Sequence, residues 1–326
     1  KMAALTLLRR AQIQLKRLEK ALLEKSDEFD AVIKMGRTQL QDAVPIRLGQ
    51  EFHAYASAIG RDIRRFDNAK EEIRSLNMGG TAIGTGLNAD TTYFHRVVKN
   101  MSTITGEELV QSYDTIDATQ NLDSYAMVSG IVKSCAVNLS KMCNDLRLMS
   151  SGPRTGFCEI NLPAKQNGSS IMPGKINPVI PEVVNQVAFN IIGNDVTITM
   201  AAEAGQLELN AFEPIIFYNL FESIQTLSNA VQTLVDNCIV GITANEEHCR
   251  EMVESSIGII TAICPYVGYE TAANIAKEAL RTNQSVRELI LQKKLLSEEQ
   301  LKTILDPYTM TKPGIQGRNP ADLLSD

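Results

Sequence analysis

The sequence predicts an all-α protein: a bundle of long helices followed by a small C-terminal helical domain. Three observations predict it. Apolar residues recur at alternating spacings of three and four over stretches of more than twenty residues, the mark of one buried stripe along a helix. Period-two alternation bounded by turn residues is scarce, so very little sheet is expected. Glycine and proline gather in three segments that separate the periodic stretches: 77–88, 150–178 and the end from 307 onward.

In chain order, the first stripe is Leu8, Ala11, Leu15, Leu18 and Leu22. The second is Val128, Val132, Cys135, Leu139, Met142, Leu146 and Met149. A further long helix is expected to begin at 178–182, because proline suits a first turn, and to run through Val184, Val187, Ile191 and Ile198. Val196, Thr197 and Thr199 lower its local propensity. Ile216, Leu220, Ile224, Leu227, Val231, Leu234 and Cys238 form the last long stripe. At 1.5 Å per residue such helices reach roughly 30 Å or more, so they need partners along their length. After about residue 241 the character shifts to short helices, and Ser285 with Glu288 and Ser297 with Gln300 have the spacing of capping boxes. The expected division is 1–246 for the bundle that carries the functional segments, 247–314 for the small helical domain, and 315–326 for a mobile tail.

Composition removes several function classes. The 326 residues hold 38 acids against 32 bases, a net charge of −6, so there is no basic field for a nucleic acid. Aromatics are 5% and Trp is absent, which leaves little for base stacking. No apolar run reaches the ~18 residues of a membrane span. Six cysteines lack any C-x-x-C pair and there are three histidines, so neither a disulfide framework nor a metal site is expected. Reduced thiols in the cytoplasm fit this pattern, and Cys143 and Cys158 are read as packing residues.

The most unusual segment is the run G-S-S-I-M-P-G-K-I-N-P at 168–178. Its glycines let the backbone approach a ligand or move, and hydroxyls, a cation and an amide lie within ten residues. Lys175 would attract a carboxylate, Asn177 would donate a directional hydrogen bond, and the following helix start adds positive potential. On spacing alone a solvated connection is the competing reading. The ordered string G-S-S-x-M-P-x-K-x-N, with Glu182 five residues beyond Asn177, resembles the signature of the aspartase/fumarase superfamily. Residues 36–45, G-R-T-Q-L-Q-D-A-V-P, resemble that family's second active-site region, and 79–88 resemble its glycine-rich element. The resemblance covers nearly everything from residue 1 to about 315. Gln39 and the run 177–187 lie nearest the aspartases within it, as do Ala204 to Leu207 and Glu213 with Pro214.

The resemblance implies a fold of the aspartase/fumarase type, a homotetramer with composite active sites, and reversible anti-elimination of ammonia from L-aspartate to give fumarate. It implies no required cofactor, with a divalent cation such as Mg2+ as an activator at most. By resemblance Ser169 is the general base, acting as an alkoxide on a flexible loop, and Ser170 binds substrate beside it. Lys175 and Asn177 match positions that hold the substrate's α-carboxylate. Thr38 and Gln39 match positions that approach the substrate from another subunit, and Gln39 orients without shuttling protons. Glu182 either fixes Gln39 or a neighbouring group, or makes a favourable contact with its own helix dipole. Thr85 and Asn88 either line the site or belong to an element that serves close helix packing. His53, His95 and His248 fall outside the matching segments. Family members carry a further N-terminal domain with a serine- and asparagine-rich motif; no run here matches it, so roughly a hundred or more residues of that anatomy are expected outside this sequence. A class II fumarase and a non-catalytic helical scaffold of the same family are the competing functions.

Overall fold

The stripe from Leu8 to Leu22 lies buried on one face of α1 (Met2–Glu28). In this computed structural model of the protein the described residues are 1–166, 171–172 and 174–317. An antiparallel hairpin of β1 (Ile33–Thr38) and β2 (Gln41–Arg47) follows, then α2 (Leu48–Glu72). β3 (Ser75–Leu76) pairs in parallel with β4 (Val110–Gln111) around α3 (Thr91–Thr105). The one-turn α4 (Asp117–Gln120) leads into α5 (Asp123–Met149), which buries the whole second stripe. After β5 (Ile160–Asn161) come α6 (Val179–Glu203) and α7 (Glu213–Asn237). Pro178 caps α6 rather than opening its first turn, and the helix continues through its β-branched residues because Val184, Ile191 and Ile198 are buried.

The chain divides into two compact units, each drawn from three segments. The first holds Lys1–Ala21, Tyr55–Leu148 and Leu162–Gly241. Its long helices present apolar stripes to one another, and buried polar pairs fix their register. Gln12 of α1 donates to the Ile63 carbonyl of α2 at 3.0 Å. Asn138 of α5 donates to Asp62 of α2 at 2.8 Å. Asp195 of α6 accepts from Ser129 of α5 at 2.7 Å, and Asn185 of α6 donates to Ser140 of α5 at 2.9 Å. Asn194 of α6 donates to Ser223 of α7 at 3.1 Å.

The second unit holds Leu22–Ala54, Met149–Asn161 and Ile242–Asp326. It adds β6 (Thr243–Ala244), paired antiparallel with β5, and the short helices α8 (Glu246–Ser255), α9 (Cys264–Val267), α10 (Tyr269–Thr282), α11 (Val286–Gln292) and α12 (Glu298–Ile304). Both expected capping boxes form, at Ser285 and Ser297. A single break at 246/247 would leave these helices alone. The structure instead gives them Met35 of β1, which lies in one buried cluster with Val253, Ile263, Ile275, Leu289 and Leu301. Helices of one to four turns bury too little surface to stand alone, so they share a core with the hairpin. Among the described residues no helix is long and apolar enough to cross a membrane.

Candidate active site

Thr38 and Gln39 stand at the tip of the β1–β2 hairpin. Thr38 pairs with Gln41, so Gln39 and Leu40 form a two-residue turn, with φ of 53° and 64°. Two positive φ values match the right-handed twist of the strands, but such turns ordinarily use Asn and Gly. For side chains such as Gln and Leu this backbone costs roughly 1–2 kcal/mol each. All four residues of the tip, Thr38 to Gln41, are exposed.

Beneath the tip lies a buried ionic cluster that sequence reading did not assign. Glu159 is wholly buried; its Oε1 takes the Arg37 guanidinium at 2.5 Å and its Oε2 takes Lys34 Nζ at 2.9 Å. Lys34 also pairs with Glu51 at 3.0 Å. Burial alone would lower the Lys34 pKa, yet the two carboxylates beside it outweigh that and hold it above the ordinary lysine value. The Arg37 guanidinium also lies 4.2 Å over the Phe157 ring. On β2, Asp42 accepts from Ser256 Oγ at 2.7 Å. Arg37 falls inside the motif at 36–45, whereas Glu159 is an isolated acid whose neighbours carry no spacing signal.

Lys175, Asn177 and Glu182 cluster in sequence and space at the start of α6. Gly174 has φ of 81°, and Lys175, exposed, donates its backbone N–H to the Met172 carbonyl at 3.2 Å. Asn177 is half-buried and its carbonyl accepts from Val179 at 2.9 Å. No side chain at Pro178 caps α6; the Val179 N–H is taken by the Asn177 carbonyl and Pro181 has none, so it is the helix dipole that favours an anion here. Glu182 faces Arg147 Nη2 at 3.6 Å, a partner the sequence did not name. Ser169 and Ser170 lie outside the described residues. Thr38 and Gln39 belong to the second unit, and Lys175, Asn177 and Glu182 to the first.

The glycine-rich element serves close backbone approach. A Cβ on Gly84 would stand 2.4 Å from the Thr115 carbonyl oxygen, and Thr115 Oγ1 donates to the Gly84 carbonyl at 2.6 Å. Thr85 and Asn88 are exposed beside it. His53 and His95 are exposed, and His248 Nε2 lies 3.0 Å from the Phe157 carbonyl. Burial pushes the thiols of Cys135 and Cys143 well up, and those of Cys238 and Cys249 to about 12, so these four are not nucleophiles at neutral pH. Among the described residues, no three His, Cys, Asp or Glu side chains gather to hold a metal ion.

Comparison with known proteins agrees with the helical frame. A family model described as Lyase matches residues 2–193, and one described as Fumarase C C-terminus matches residues 259–312. An aspartate ammonia-lyase from Bacillus sp is 56% identical over 97% of this chain and 68% of its own length. Those of Bacillus subtilis and Helicobacter pylori are 57% and 54% identical, over 90% and 92% of this chain and 62% and 64% of theirs. The chain thus spans 62% to 68% of the length of these curated relatives. Among solved structures, a fumarate lyase:delta crystallin from Brucella melitensis superposes with a TM-score of 0.91 at 49% identity, over 95% of this chain and 68% of its own. A class II fumarase from Schistosoma mansoni gives 0.90 at 32% identity, over 95% and 69%. By its signature segment, its helical frame and its relatives, the chain belongs to the aspartase/fumarase superfamily of lyases.

Proposed function

We propose that the chain carries the aspartate ammonia-lyase reaction, the reversible anti-elimination of ammonia from L-aspartate to give fumarate. The observation that carries it is the signature string running into α6, with Lys175 and Asn177 set immediately before an N-terminus that no side chain of Pro178 caps. The relatives that share most sequence bear the aspartate ammonia-lyase name, which supports this substrate over the malate of a fumarase.

The proton to be removed sits on the carbon beside the distal carboxylate and is barely acidic in the ground state. A base must take it while the developing charge spreads into that carboxylate as a doubly charged aci form. Fixed donors lower this barrier more than water, which has to reorganise. In this reading Ser169, as an alkoxide, takes the proton on one face, and the amine departs from the other as the carbon–nitrogen bond breaks. Lys175 and Asn177 hold the α-carboxylate, with the dipole of α6 behind them. Ser170, Thr38 and Gln39 supply hydroxyl and amide contacts to the amine or a carboxylate, and Gln39 stays neutral throughout. Glu182, facing Arg147, tunes the start of α6 rather than touching substrate. No step needs a cofactor, and a divalent cation such as Mg2+ enters only as an activator.

The same proposal includes a homotetramer with sites shared between subunits. Val183, Phe189, Val196 and Met200 of α6 are large apolar side chains left exposed, Phe189 and Met200 by more than 60%, which supports a second copy of the chain as their cover. A cytoplasmic location accords with six unpaired cysteines. The test is to supply the full-length assembled protein with L-aspartate and, separately, L-malate, and to follow fumarate. Fumarate from L-aspartate alone is expected. Fumarate from L-malate alone would make it a fumarase, and none from either a helical scaffold.

A further inference from the structure

We propose that Arg37 and Glu159 are positioning residues that aim the Thr38–Gln39 tip at the substrate. The inference rests on the reading that Thr38 and Gln39 contact substrate, and it adds what holds them there.

The tip needs such a support because its own backbone does not supply one. Gln39 and Leu40 both sit in the left-handed region, a conformation that persists only where surrounding contacts over-determine it. Neither side chain is buried, so packing at the tip does not provide those contacts. They come from the residues just below.

Lys34 and Arg37 are three apart on β1, and on a flat strand they would face opposite sides. The pairing slips between Met35 and Arg37, where Ala43 and Val44 of β2 stand opposite Gly36 alone. This bulge adds twist to the hairpin. Gly36 is the residue that allows it, since a Cβ there would lie 2.7 Å from the Val44 carbonyl oxygen. Glu159 then spans the twisted strand with one carboxylate, giving Oε1 to Arg37 and Oε2 to Lys34. Rotation of the strand about its axis has to break the Arg37 hydrogen bond or pull the Lys34 ion pair apart. Glu159 is itself fixed, because its backbone N–H donates to the Met149 carbonyl at 2.8 Å and its carbonyl accepts from Asn245 at 2.9 Å.

Arg37 is opposite Asp42 in the ladder, one pair below the turn. One member of that pair is held by Glu159 and the Phe157 ring, the other by Ser256. The base of the turn is therefore gripped on both strands. Glu159 has no contact with solvent and does no acid–base work in this account; its hydrogen bond to Arg37 and its ion pair with Lys34 are spent on geometry.

The test uses the full-length assembled enzyme and Arg37→Gln, which removes the guanidinium and leaves Glu159 its ion pair with Lys34. Loss of alignment at the tip is expected to lower kcat/KM for L-aspartate by about tenfold or more. Because Arg37 acts through Thr38 and Gln39, the same change made in a Thr38→Ala/Gln39→Ala background is expected to cost less than about threefold. Amide exchange in the peptide covering residues 33–47 is expected to quicken by about tenfold, with the long helices unchanged. Arg37→Lys keeps the charge but not the planar stack, and carries both comparisons if the neutral variant fails to assemble. An equal loss in both backgrounds, or unaltered exchange in the hairpin, overturns the proposal. A wild-type enzyme that makes no fumarate from L-aspartate would instead sink the assigned reaction, and the exchange comparison would still decide the clamp.

Discussion

Leu40 occupies a position that suits asparagine or glycine. Its φ of 64° places a γ-branched side chain in the left-handed region, and its exposure of 62% gives no burial in return. Asparagine tolerates that backbone by bonding locally. Leu40→Asn is therefore expected to raise the stability of the protein by about 0.5–1 kcal/mol, read as a higher urea midpoint with the slope unchanged. A lower midpoint would show that Leu40 has a contact the strain argument overlooks. Thr38, Gln39, Lys175 and Asn177 stood out in the sequence because their motifs are long and ordered. Their backbone states were not: nothing in Gln-Leu announces a turn with two positive φ values. Glu159 was illegible for a different reason, since a lone acid in a segment of mixed residues gives no hint that two cations will close on it from β1.

Among the elements, the long helices were the most readable, because a stripe of leucine, isoleucine and valine every three or four residues has one stable disposition. α2 carries the same period through Phe52, Ala56, Ile59, Ile63 and Phe66, all buried, but its alanines weaken the contrast between faces. The hairpin was hidden by its own special features, the bulge opposite Gly36 and the absence of an Asn-Gly turn. The capping boxes at Ser285 and Ser297 were visible because a single spacing defines them. The hairpin also carries a pH signature. Burial disfavours a charged Lys34, but Glu51 and Glu159 overcome this, so its pKa is higher folded than unfolded. A raised lysine stabilises fully below its unfolded value and loses that contribution as pH climbs through the folded one. The stability advantage of the wild type over Lys34→Met is thus expected to hold at neutral pH and to shrink from about pH 10.4 upward. Urea unfolding of both proteins across that range measures it, and an advantage that grows with pH would contradict the ion cluster.

For the whole molecule, the sequence conveyed an all-helical chain and a change of character near residue 241, close to the Gly241/Ile242 boundary of the third segment. It did not convey that 22–54 and 149–161 join the C-terminal helices, because such grouping depends on contacts between distant segments and not on any local period. Thr38 and Gln39 belong to the second unit, and Lys175 and Asn177 to the first. The central claim, that a hydroxyl at position 169 removes a carbon-bound proton from L-aspartate, is tested most directly by Ser169→Ala in the full-length assembled protein. Fumarate production is expected to fall by about a hundredfold or more while the oligomer and its thermal midpoint stay unchanged. Turnover of L-aspartate at the wild-type rate in that variant would contradict the account.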